Sequence, residues 1–183
     1  MTRSLAMTLN ALGLYGIALV LLVAFAAQLL LHELPCPLCL LQRIQFAMLA
    51  VGPILNIRFG ARPSHYAVSL LTAVAGAAFA ARQILLHVMP GDSGYGSALL
   101  GYHYYSWAFI GFAVAVVALA AMLLFDEQFR EIDKPQAIGA FARMAVWLVL
   151  ALTALNVIST LLECGVGACP DNPVVYELLK SPR

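Results

Sequence analysis

ALGLYGIALVLLVAFAAQLLL fills positions 11–31 without one charged side chain. A helix needs about 20 predominantly apolar residues to cross the hydrocarbon of a bilayer, and this run is long enough. Four further runs repeat the pattern along the chain. Positions 37–57 are interrupted only by Arg43, and positions 67–89 only by Arg82. Positions 104–125 carry no charge, and 140–162 hold only Arg143, near the entry. Of the 183 residues, 63% are hydrophobic and 10% charged, whereas an ordinary soluble domain carries about 25% charged residues. Such a chain cannot clothe a soluble surface. A net charge of +1 gives nucleic acid nothing to hold. No alternating polar pattern of the barrel kind is present, so helices are the spanning solution. The expectation is an all-α integral membrane bundle of five transmembrane helices. It forms a single membrane domain over 1–183, with 163–183 as a tail. Ala24-Phe25-Ala26 has the look of a signal-peptide cleavage site. The apolar run before it is longer than a usual signal core, and Leu29, Leu30 and Leu31 continue it, so it is read as a retained span.

Lys and Arg accumulate in cytoplasmic loops. Arg3 precedes the first span, Arg58 and Arg62 lie between the second and third, and Arg130, Lys134 and Arg143 lie between or beside the fourth and fifth. The loops at 32–35 and 90–103 have neither residue; only Lys180 and Arg183 fall on that side, far along the tail. The N-terminus is therefore expected in the cytoplasm and, after five spans, the C-terminus outside. This ordering puts Cys36 and Cys39, between the first two spans, on the same face as Cys164 and Cys169, after the fifth. In a bacterial inner membrane that face is the periplasm, where disulfides persist.

Leu34-Pro35-Cys36-Pro37-Leu38-Cys39-Leu40-Leu41-Gln42-Arg43 is the most informative local motif. C-x-x-C spacing permits a disulfide that opens and closes, and lowers thiol pKa. Pro37 suits a first helical position, where a missing N–H is no loss. Cys36 then sits near the N-cap and Cys39 in the first turn, where the positive end of the helix dipole favours thiolate. Arg43 follows Cys39 by four residues and shares its helix face. An arginine one turn into the membrane either snorkels to headgroups or serves a function. As a functional group it would hold a quinone carbonyl and stabilise an adjacent thiolate.

With these residues in view, the chain resembles the DsbB family of disulfide-forming membrane oxidases, over about the first four spans. The resemblance implies a helical bundle with a quinone, ubiquinone or menaquinone, bound beside the second helix. It implies a soluble periplasmic DsbA-like thiol oxidase as partner and the membrane quinone pool as electron sink. It also implies that Cys36 and Cys39 form the quinone-facing pair, Cys39 nearer the ring, and that Arg43 is the quinone-contacting arginine. The chain departs from the family pattern at one point. The family's second cysteine pair lies between the third and fourth spans, where this chain has none. The candidate second pair is Cys164 and Cys169, placed by topology alone.

Between Cys164 and Cys169 stand Gly165 and Gly167, which favour a tight loop. A disulfide across so short a loop gains little closure entropy, so it is read as an exchanging bond; a static clip is the other reading. Val174 to Leu179 is a short apolar stretch suited to the membrane surface. Arg82, Gln83 and His87, at the outer end of the third span, either complete a quinone pocket or anchor the interface. Tyr102, Tyr104, Tyr105 and Trp107 read as an aromatic belt, and the Ala/Gly-rich third span as a close-packing surface.

The sequence thus reads as a protein dithiol:quinone oxidoreductase with Cys36, Cys39, Cys164 and Cys169 as redox-active residues. Three alternatives are weaker. A vitamin K epoxide reductase type would carry its C-x-x-C on the last bundle helix. A four-thiolate zinc site fits poorly with an oxidising compartment. A small transporter lacks an inverted repeat.

Overall fold

The computed structural model describes residues 1–130 and 138–180; Lys134 and Arg183 lie outside these. The described chain is mostly helical. Helix α1 covers Arg3–Leu30, α2 Pro37–Leu49, α3 Val51–Phe59, α4 Pro63–Leu86, α5 Tyr104–Leu123 and α6 Ala140–Cys164. A two-residue hairpin, β1 (Ala98–Leu99) with β2 (Tyr102–His103), precedes α5. Taking α2 and α3 together, five helical segments are long and apolar enough to cross a membrane. The core packs α4 against α5 and α2, and α1 against α6 and α3. This is the five-helix membrane bundle expected from the apolar runs.

The second segment is not one continuous helix. Pro53 lacks the N–H that an unbroken helix would donate to the Leu49 carbonyl. Ser69 of α4 supplies the replacement: its hydroxyl donates to Leu49 O at 2.8 Å and accepts from the Gly52 N–H at 3.1 Å. A Cβ on Gly52 would collide with the His65 carbonyl oxygen and Ser69 Oγ, so α3 reaches α4 at backbone distance only because residue 52 is glycine. The small-residue face of α4 acts in the same way. Gly76 makes room for the Phe112 ring, which stacks on Phe46 with centroids 4.0 Å apart.

The two ends of the bundle differ in chemistry. At the end where α1 begins, buried amides and a phenol tie four segments together. Asn56 Nδ2 donates to Asn10 Oδ1 at 3.0 Å, Asn10 Nδ2 to Tyr66 Oη at 2.8 Å, and Tyr66 Oη to Gln128 Oε1 at 2.9 Å. Arg3, Arg58 and Arg62 belong to this end. Both cysteine pairs lie at the other, where α1 ends, α2 begins and α6 ends.

Candidate active site

Pro37 opens α2, and Cys36 is its N-cap, with the Cys39 amide donating to Cys36 Sγ at 3.2 Å. Cys36 and Cys39 are joined by a disulfide with Cα atoms 5.0 Å apart. Gln83 of α4 serves this bond directly. Its side chain is 1% exposed, and its amide donates to Cys36 Sγ at 3.2 Å and Cys39 Sγ at 3.4 Å. Gln42 fixes that orientation by donating to Gln83 Oε1 at 2.7 Å. A buried amide held this way favours charge on whichever sulfur becomes a thiolate.

Arg43 sits one turn further into α2 and does not reach for headgroups. Its guanidinium donates to Gln28 Oε1 at 2.7 Å, to the Ala24 carbonyl at 2.9 Å and to Asn156 Oδ1 at 3.3 Å. Gln28 then donates to Ser159 Oγ at 2.8 Å and to Tyr176 Oη at 3.1 Å. One cation thus links α1, α2, α6 and the tail. A charged residue within a bundle needs such partners, since unpaired burial is costly.

Beside this network opens a cavity of about 450 Å³ between α1, α2 and α5. Leu19, Val23 and Ile110 are among its apolar walls, and Cys39, Gln42 and Arg43 provide polar groups. Tyr104, Tyr105 and Trp107 also line it, so these rings do more than form a belt. The outer loop is strapped over the same end. Tyr95 Oη donates to the Leu34 carbonyl at 2.7 Å, and the Ser97 amide and hydroxyl both donate to the Glu33 carboxylate. Burial, with the Glu163 and Glu33 carboxyls nearby, pushes the Tyr95 phenol above its ordinary pKa.

Matching this arrangement, the family model described as disulfide bond formation protein DsbB covers residues 6–95. Over residues 6–95 the chain is similar to the DsbB family. Among curated relatives, disulfide bond formation protein B 2 of Burkholderia lata is 41% identical over 93 residues, 50% of this chain and 55% of that protein. Disulfide bond formation protein B of Xanthomonas axonopodis pv. citri is 37% identical over 86 residues, 44% of this chain and 50% of that protein. The chain therefore spans about half the length of the curated relatives it matches. No solved structure matches.

The matched segment contains the first disulfide, Gln42, Arg43 and Gln83; the second disulfide lies beyond it. Cys164 ends α6 and is bonded to Cys169, with Cα atoms 4.5 Å apart. Gly165 caps the helix with φ +67°, a conformation glycine adopts without strain. The tail is docked by Tyr176 onto Gln28, while Val174, Leu178 and Leu179 are exposed.

Of the other sequence candidates, Arg82 is exposed on α4. His87 turns to the loop, with Nδ1 3.1 Å from Asp92 Oδ1. The Gly94 amide and that ring hold the Asp92 carboxyl below the usual range. Neither Arg82 nor His87 lines the cavity, and Gln83 meets the sulfurs rather than the cavity. Sequence reasoning missed Gln28, Asn156, Ser159, Glu163 and Tyr176. For α6 a signal existed: positions 156, 159 and 163 fall on one helix face of an otherwise apolar span. Among the described residues no group of three or more His, Cys, Asp or Glu is placed to hold a metal ion, and all four cysteines are in disulfides.

Proposed function

We propose that this protein is a membrane protein-dithiol:quinone oxidoreductase. It takes electrons from a soluble periplasmic DsbA-like thiol oxidase at Cys164–Cys169. It passes them to Cys36–Cys39 and discharges them into the membrane quinone pool. The observation that carries this reading is the C-x-x-C disulfide at the start of α2, beside an apolar cavity in which Cys39 and Arg43 lie together. In this reading the chain sits in a bacterial inner membrane with its N-terminus cytoplasmic and both cysteine pairs facing the periplasm. The polarity difference between the bundle's ends supports that orientation.

The lining suits a quinone headgroup, with apolar walls and charged or amide donors beside Cys39. A quinone, when bound, supplies the acceptor for two electrons. Arg43 and Gln42 would hold its carbonyl side. Arg43 is pre-oriented for this by Gln28 and Asn156, so little side-chain freedom is lost on binding. Gln83 steadies the sulfur that carries charge when the first disulfide opens. The walls and the Tyr95 strap keep water from the sulfurs, which strengthens each of these interactions.

The redox state of the four cysteines tests the proposal. In membranes with an oxidised quinone pool, acid-quenched alkylation should find both pairs closed. Emptying the pool while reduced partner is supplied should open both, and restoring quinone should close them. Pairs that stay closed throughout would contradict the assignment.

A further inference from the structure

Glu163 stands out among the groups not yet used. It is 0% exposed, and among the described residues both its carboxylate oxygens lack any hydrogen-bond partner. An ionised carboxylate so placed is expensive, so it is held either by a proton or by a nearby cation. Arg43 is the cation whose charge acts on it, though the guanidinium aims its N–H groups at Gln28, Asn156 and the Ala24 carbonyl. Among the described residues the remaining titratable neighbours are few. Tyr95 of the outer loop feels Glu163 together with Glu33, and Tyr176 of the tail acts on Arg43. Glu163 immediately precedes Cys164 in the chain, while Arg43 and Tyr95 line the cavity that Cys39 also lines. The carboxyl is therefore next in the chain to one cysteine pair, and the cation that acts on it lies one turn from the other.

We propose that Glu163 carries the protons exchanged when the Cys164–Cys169 dithiol hands its electrons to the Cys36–Cys39 disulfide. The proposal rests on the relay reading above. The Glu163 carboxylate, compensated by Arg43, takes the proton of one tail thiol. The thiolate attacks a sulfur of Cys36–Cys39; a bond between the pairs forms as the old S–S bond breaks. The departing sulfur leaves as a thiolate and receives the proton from Glu163. The second tail thiol then loses its proton to the same carboxylate and attacks the mixed bond. Cys164–Cys169 closes, and the second released sulfur is protonated in turn. Two electrons and two protons have moved from one pair to the other, and Glu163 is as it began.

The test is the rate of transfer between the pairs in purified quinone-free protein. A pulse of dithiothreitol reduces the tail; acid quenching and mass-tag alkylation then show which pair carries the thiols, as a function of pH. In the wild type the rate should vary little between about pH 6 and 8. Without an internal base, exchange depends on thiols ionised by solvent, about one in a hundred at two units below a thiol pKa of about 8.5. Glu163→Gln should therefore be slowed about a hundredfold near pH 6.5 and recover about tenfold per pH unit. Since Gln removes the charge at similar size, thermal stability should be kept or raised; with a merely structural glutamate the variant would lose stability and share the wild type's pH profile. A flat profile in Glu163→Gln, with normal transfer, would overturn the proton-carrier role alone. No transfer in the wild type at any pH would overturn the relay, and this role with it. Infrared difference spectra of the wild type give a check that needs no variant. Followed in time after the tail is reduced, a carboxyl band should rise and decay as thiols pass from one pair to the other, and its absence throughout the transfer would also overturn the role.

Discussion

Replacing both tail cysteines, Cys164→Ala with Cys169→Ala, is expected to reduce oxidation of the soluble partner by at least about a hundredfold. It should leave Cys36–Cys39 able to oxidise a small dithiol that reaches it directly. Tethering is the physical basis of this expectation. Linking two reacting groups through a short segment gives an effective concentration in the millimolar range, so internal exchange outruns any encounter the partner makes with the first pair. Here the tether is tighter than a flexible linker, because Tyr176 accepts from Gln28 at 3.1 Å and Cys164 belongs to α6 itself. Cys36 is also sheltered, at 7% exposure, under a loop that Tyr95 and Ser97 fasten to Leu34 and Glu33. A large protein cannot approach it as a small dithiol can. If the double variant oxidised its protein partner at the normal rate, the tail bond would be a structural clip, and the first pair would meet the partner unaided.

Arg43→Gln is expected to weaken quinone use about tenfold to a hundredfold, and to lower stability by a smaller share of the total. A hydrogen bond from a charged donor contributes about 1.5–3 kcal/mol, and each 1.4 kcal/mol is about a decade in affinity. Stability falls because Gln28 Oε1 and Asn156 Oδ1, on residues 2% and 8% exposed, lose their donor. Quinone titration of the purified variant, alongside its thermal unfolding, separates the two effects. Lost stability with unchanged quinone affinity and turnover would make Arg43 only the tie between α1, α2 and α6.

Local features of this protein are written locally in its sequence. Five long apolar runs give five spanning segments because the backbone has no other way to satisfy itself in hydrocarbon. Cys36 caps α2 because Pro37, with no N–H, follows it. The contacts of Arg43 could not be read in this way. Its partners lie 15 residues away at Gln28 and 113 away at Asn156, and neither spacing nor composition says which face of α1 or α6 turns inward. Gln83 shared a helix face with His87 in sequence, yet the turn at the end of α4 sends one to the sulfurs and the other to Asp92. The aromatic cluster at 102–107 reads as a belt because its residue types are those of an interface. That three of its rings face a cavity follows from where α5 stands relative to α1 and α2, which is a matter of tertiary packing. Glu163 was visible as a lone acid at the end of a span, but that none of the described residues donates a hydrogen bond to it is a property of the folded bundle.

The central claim is that electrons leave a protein dithiol and arrive on a quinone through this chain. It is tested most directly by giving purified protein a reduced DsbA-like partner and a short-chain quinone in the absence of oxygen. The account predicts one quinone reduced for each partner disulfide formed, with the reaction lost when Cys36 or Cys39 is replaced. Partner oxidation without matching quinone loss, or quinone loss that survives replacement of those cysteines, would contradict it.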